Sequence, residues 1–193
     1  MAEKWLDKIW KEILITCFDE ALDFFMPDLS KARDCEREVV FLREELPAIG
    51  ADSDVGMRVP DVVASVPVRG GETRKVVFVI EQQHAYDRNF ARRMFEGFYR
   101  VSDQLKTPVT SLAIFTGNIR EESRYEYDCF GTRLAFEYNS YSVATADTGE
   151  LRNDGRVFSV VVLAAKLMLD AGGDPRKRRV CAHAASLGER KRI

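Results

Sequence analysis

Cysteine and histidine are scarce in this chain of 193 residues: Cys17, Cys35, Cys129 and Cys181, with His84 and His183. No two cysteines form a C-x-x-C pair, so the spacing argues against a structural zinc site and against a disulfide framework. A cysteine hydrolase is set aside on similar grounds, because no cysteine sits in a loop beside His84. Long apolar runs are also missing. The longest, Val157 to Leu169, is interrupted by Ser159 and Lys166 and falls short of the roughly 20 residues a membrane span needs; it reads as a buried helix, and no membrane partner is expected. The opening Met1-Ala2-Glu3-Lys4-Trp5-Leu6-Asp7 places acids where the apolar stretch of a signal would lie, which predicts no secretory or transit peptide and a reduced, cytoplasmic setting. A large charge of one sign is the last absence: 29 Lys+Arg against 31 Asp+Glu give a net charge of -2. That balance does not by itself advertise a nucleic-acid or membrane surface.

What is present is a composition of 46% apolar and 31% charged residues, enough for one full-sized domain with a buried core. The charge is unevenly placed. From Asp174 to Ile193, Arg176, Lys177, Arg178, Arg179, Arg190, Lys191 and Arg192 face only Asp174 and Glu189, a balance of +5 that leaves -7 for the first 173 residues. An acidic body therefore carries a basic tail. The run Arg176–Arg179 contains no interleaved aromatics for base stacking and reads as a solvated flank; phosphate contacts there would make affinity fall steeply with salt.

Hydrophobic periodicity orders the rest. Trp5, Ile9, Ile13 and Cys17, beside Leu6, Trp10, Leu14, Phe18 and Leu22, make a wide helical stripe that Pro27 is expected to end. A second helix is predicted from about Cys35 to Leu46, with Val39, Leu42 and Leu46 inward, followed by a loop over Gly50 to Arg58. The period then changes: Val59 to Val68 and Arg74 to Gln83 flank Gly70-Gly71, the signature of a β-hairpin. A helix follows over about Arg88 to Lys106, with Phe90, Met94, Phe98, Val101 and Leu105 on one face. Val109 to Phe115 has the continuous apolar character of a buried strand, and strands are predicted at Tyr125–Phe130 and Arg133–Tyr138. The Val157–Leu169 helix is expected to stop at Gly172-Gly173. The order α-α-β-β-α-β-β-β-α predicts one α/β domain.

Polar residues inside apolar strands need a reason, because a buried unpaired charge is expensive. Asp61 opens the first hairpin strand; Glu81 and Gln83 end the second and project from one face. If Gly70-Gly71-Glu72 is a three-residue loop closed by Arg69 and Thr73, Asp61 lies opposite Glu81, with the two carboxylates within about 5–8 Å. A two-residue loop would shift the pairing by one, and a bulge could restore it. Two such acids repel unless a cation sits between them. A divalent ion such as Mg²⁺ takes carboxylate oxygens, leaves positions for water and phosphate, and can make bound water nucleophilic. The chemistry suggested is metal-assisted phosphodiester hydrolysis. On spacing alone the plainer alternative carries more weight: Asp61 caps a strand, and Glu81-Gln82-Gln83 marks where a buried strand meets solvent.

A longer succession of residues reverses that weighting. Asp61-Val62-Val63, Val77-Phe78-Val79-Ile80-Glu81-Gln82-Gln83, Tyr86-Asp87, Arg93-Met94-Phe95 and Tyr99-Arg100 closely resemble the Rpn/YhgA-like family of recombination-promoting nucleases, also described as transposases, within the PD-(D/E)xK restriction-endonuclease-like superfamily. The likeness extends to Trp10-Lys11-Glu12-Ile13-Leu14, Phe41-Leu42-Arg43-Glu44-Glu45-Leu46, Ser111-Leu112-Ala113-Ile114 and Val161-Val162-Leu163-Ala164-Ala165, and so covers nearly the whole chain.

The resemblance implies a restriction-endonuclease-like core, a mixed β-sheet flanked by α-helices. It implies a DNA endonuclease dependent on Mg²⁺ or Mn²⁺, with Asp61 and Glu81 as metal ligands and Gln83 where the superfamily usually has lysine. A glutamine there can only position water, so the metal would supply more of the activation. An additional acid from the first helices would be Glu45, with Glu12 second, and Arg93 would reach a phosphate or orient Glu81, if it is not a solvated charge. His84 stands where relatives tend to have a small residue, and it would crowd the site, carry protons or simply end the strand in solvent. Relatives continue past the Val157–Leu169 helix with another long helix. The expectation is therefore a nuclease-like domain over residues 1–173 and a shortened basic tail over 174–193. Two readings stand: an endonuclease, with DNA as partner and a homodimer left open, or a nuclease-fold protein without activity that binds DNA or another partner.

Overall fold

The computed structural model describes residues 2–42, 60–70 and 75–171, with side chains from residue 8 onward. The amphipathic N-terminal stripe forms α1 (Ala2–Thr16) and α2 (Phe18–Phe25), interrupted at Cys17. The stripe ends just before Pro27, as expected, and Pro27 in turn opens a short α3 (Pro27–Ala32) from its first turn, where its missing N–H costs nothing. Trp10, Leu14, Phe18 and Leu22 are buried, as the periodicity predicts, with Ile9, Ile13 and Cys17 of the same stripe half-buried beside them.

The helix predicted from Cys35 is not formed over Cys35–Leu42. Instead β1 (Val40–Phe41) pairs antiparallel with β2 (Val62–Pro67), Val40 opposite Ser65. Val39-Val40-Phe41 is β-branched and aromatic, and an open strand edge offered it ladder partners that outweighed its weak helical pattern. The remainder of that predicted helix and the expected loop over Gly50–Arg58 lie outside the described residues.

The hairpin is β2 with β3 (Lys75–Gln83), and its register, Val62 opposite Ile80 and Val66 opposite Val76, is the one a three-residue loop requires. A crossover through α4 (Phe90–Leu105) returns the chain to β4 (Val109–Phe115), parallel to β3. β5 (Arg124–Cys129) and β6 (Thr132–Glu137) form a separate two-stranded ribbon. Phe130 and Gly131 turn it at positive φ, the geometry of a tight hairpin. The fifth strand of the main sheet is β7 (Asn139–Ser142), too short and polar to stand out in the sequence. The order β1-β2-β3-β4-β7 is therefore mixed. α5 (Thr148–Asn153), also unpredicted, is capped by Asp147 and leads to α6 (Val157–Asp170).

Alternation along the strands gives the sheet two apolar faces. Val62, Ala64, Val66, Phe78, Ile80, Leu112 and Ile114 pack with α1, α2 and α6. Val63, Val77 and Val79 pack with Val101 of α4, and Ala113 and Phe115 with Phe90 and Met94 of the same helix. The architecture is mixed α/β, a five-stranded sheet flanked by helices. Lys166, the charge inside the apolar α6, is satisfied by Ala144 O and Asp170 Oδ1, each at 2.8 Å. Among the described residues no helix is long and apolar enough to cross a membrane.

Candidate functional site

Antiparallel β2 begins at the end of the sheet where β3 and β4 finish, so one edge of the sheet collects the start of β2, the carboxyl ends of two parallel strands and the N-terminus of α4. Ligands of open α/β sheets bind at such carboxyl ends. Extending the β2–β3 register by one position places Asp61 across from Glu81. Both are buried, 2% and 6% exposed.

Asp61 is held from two sides. Its Oδ2 accepts the backbone N–H of Gln82 at 2.9 Å, and its Oδ1 lies 2.5 Å from Nζ of Lys11 on α1. The lysine side chain keeps a quarter of its surface exposed, while the carboxylate it meets is buried. Glu81 and Gln83 share the α4 side of β3, following Val77 and Val79. Gln82 points to the opposite side and donates to Thr116 Oγ1.

Gln83 is locked by its neighbours. Its Nε2 donates to Ala85 O, and its Oε1 accepts from Arg93 Nη2 at 3.0 Å. Arg93, in the first turn of α4, also pairs with Asp87, whose Oδ1 accepts the Asn89 N–H at 2.9 Å. The guanidinium thus orients Gln83, and it is a half-buried member of a network, not a solvated charge. An amide has two N–H groups and two acceptor positions, so Gln83 retains one of each.

His84 is half-buried, with Nδ1 3.4 Å from Thr116 Oγ1. Its backbone carbonyl lies so close to Gly117 that a Cβ at that position would collide with it, which makes glycine obligatory at this close approach. Glu12 is directed elsewhere: it is exposed and pairs with Lys8 at 3.7 Å. Glu45 lies outside the described residues, as does the basic tail. The structure therefore brings together Asp61, Glu81, Gln83 and Arg93 at one end of the sheet. Comparisons with known proteins return no match. Neither a family model, nor a curated protein, nor a solved structure is similar to this chain at a significant level.

Lys11 is the residue that sequence reasoning passed over. On α1 it stands between the buried Trp10 and Leu14, where a lysine reads as the solvated flank of the stripe. The signal that could have found it is the cost of burying Asp61, which demands a nearby cation. Asp87 was legible as part of a motif but without a role, and that role is to hold Arg93. Among the described residues no group of three or more His, Cys, Asp or Glu is placed to share a metal ion. A cleft of about 410 Å³, lined in part by Glu121, Glu150, Asp154 and Arg156, includes none of the predicted site residues.

Proposed function

We propose that this chain is a metal-dependent DNA endonuclease of the recombination-promoting type, with a restriction-endonuclease-like core and its active site at the Asp61–Glu81 end of the sheet. The observation that carries the reading is a pair of buried carboxylates at facing register positions on adjacent strands, one of them already neutralised by a cation. Oxygen that accepts an ammonium at 2.5 Å is oxygen suited to a hard cation. Mg²⁺ commonly takes only one or two carboxylates and fills its remaining positions with water and phosphate. Asp61 and Glu81 are the residues that would hold such an ion. When bound, it would lower the pKa of a water and offset charge on the phosphodiester.

The chain's own residues have distinct tasks. The backbone N–H of Gln82 fixes the Asp61 carboxylate, so its orientation does not depend on the ion. The free N–H and acceptor position of Gln83 can align the attacking water, and Arg93, pinned by Asp87, keeps that amide from rotating. Burial of both acids limits competing water and strengthens local electrostatics.

The test is nicking of supercoiled plasmid with Mg²⁺ or Mn²⁺. Asp61→Asn and Glu81→Gln are each expected to reduce cleavage to background; undiminished cleavage by the purified double variant overturns the mechanism. The second reading, an inactive protein of the same fold that binds DNA or a partner, is favoured by one observation: Lys11 neutralises Asp61 with no metal needed. Calorimetry separates the two, because binding of Mn²⁺ at one Asp61-dependent site belongs only to the first.

A further inference from the structure

We propose that Lys11 is the exchangeable cation of this site: its ammonium holds Asp61 in the metal-free protein and is displaced from Asp61 Oδ1 when the divalent ion enters. The inference rests on the metal-dependent reading above and adds to it a residue and an order of events.

Three observations carry it. Each Asp61 oxygen already has one partner: Oδ2 accepts the Gln82 N–H and Oδ1 faces Lys11 Nζ at 2.5 Å. A divalent ion entering at Asp61 meets the positive charge of an ammonium already on the same carboxylate, and the two repel; of the two partners of Asp61, the backbone donor is fixed in the sheet and the side chain on a flexible stem is the one that can leave. Second, the two partners differ in burial: Asp61 is 3% exposed at its side chain and Lys11 25%. The carboxylate is almost fully buried, whereas the lysine side chain borders solvent, into which a long flexible stem can carry its charge on separation. Third, the contact is a single one. Lysine meets Asp61 as a compact, strongly hydrated point charge, without the two-pronged grip of a guanidinium. Once released, the ammonium stays on α1 beside the site and supplies positive charge that Gln83 lacks, where an anionic substrate would arrive.

Exchange has a consequence opposite to that of a structural ion pair. If Lys11 only supports the fold, removing it should leave metal binding unchanged or damage it. If Lys11 competes, removing it should tighten binding. An apparent affinity is reduced by the fraction of molecules whose site is competent, so Lys11 occupying Asp61 nine-tenths of the time predicts a gain of about tenfold.

The experiment is calorimetric titration of the full chain with Mn²⁺. Lys11→Met is expected to bind about tenfold more tightly than wild type, as the competent fraction rises to one. Lys11→Arg should bind no more tightly than wild type, and Asp61→Asn should lose the site. In parallel, amine acetylation of the wild-type protein, read by mass spectrometry, should rise several-fold at Lys11 on adding Mn²⁺ and stay constant at exposed Lys8; this arm holds even if Lys11→Met does not fold. Wild-type binding accompanied by unaltered labelling of Lys11 overturns exchange and leaves the nuclease reading standing, as does unaltered affinity in Lys11→Met. Absence of Mn²⁺ binding in both wild type and Lys11→Met overturns both.

Discussion

Two carboxylate–cation pairs in this molecule look alike in a list of distances and differ in everything else. Asp154 and Arg156, near neighbours in sequence between α5 and α6, form a closed knot. Arg156 Nε lies 2.8 and 3.0 Å from the two carboxylate oxygens and Nη2 2.5 Å from Oδ2. The same guanidinium donates through Nη1 to the carbonyls of Asp23 and Phe24 at the end of α2, and sits 4.7 Å above the Phe24 ring. Asp61 and Lys11, distant in sequence, have one ionic contact, a buried acid and a second buried acid at the facing register position. The first pair is chelated at Asp154 and directs its remaining contacts to tying the end of α2 to the start of α6. The second, on the metal-dependent reading proposed above, leaves a charge that a metal ion would take over, the difference between a staple and a site.

The comparison is sharpest at Lys11. Breaking a buried pair by removing one partner typically costs about 3–5 kcal/mol because the other charge is left uncompensated. Lys11→Met is expected near the lower end, about 3 kcal/mol in urea unfolding without metal, since the Gln82 N–H still supports Asp61. Saturating Mn²⁺ should recover part of that loss, as ligand binding to the native state must. Arg156→Ala should cost less, about 1–2 kcal/mol, because that pair is partly exposed and the loss lies in two carbonyl contacts and the aromatic stack. Metal should recover none of the Arg156→Ala loss, and plasmid nicking per folded molecule should match wild type. Equal recovery by Mn²⁺ in both variants would erase the distinction.

How much of this was legible follows from where the information sits. The Asp61–Glu81 register could be narrowed to two possibilities one position apart, because a glycine pair marks the turn and the strands alternate, both of which are local properties; the pairing of Val62 with Ile80 selects between them. β1 could not, because Val39-Val40-Phe41 becomes a strand only through the free edge of β2, a partner distant in sequence. β7 escaped for the same reason: Asn139–Ser142 has little apolar character, and its pairing with Leu112–Phe115 is purely tertiary. At the candidate site, the nearness of Asp61, Glu81 and Gln83 was legible by spacing, while the role assigned to them came from the family resemblance. Lys11 and the Arg93–Gln83 contact were not, since a lysine or arginine beside an apolar stripe has one appearance in sequence whether it faces water or a buried acid.

The smallest expected effect concerns acid. The Arg156 hydrogen bonds hold the Asp154 carboxyl below its usual range, against a smaller opposing effect of burial. A carboxyl whose pKa is lower in the folded chain than in the unfolded one stabilises the fold above the unfolded value, and that contribution fades as pH falls through the folded one. Wild type should therefore lose stability between about pH 5 and the lowered pKa more steeply than Arg156→Gln, in which Asp154 returns toward an ordinary carboxyl. Because Arg156 is more than a third exposed, solvent screening keeps the difference below about 1 kcal/mol. Urea midpoints measured across that range would show it as a shallower acid limb in the variant. An identical limb would mean that the Arg156 hydrogen bonds contribute through packing at α2 alone, and the staple would owe nothing to the charge of Asp154.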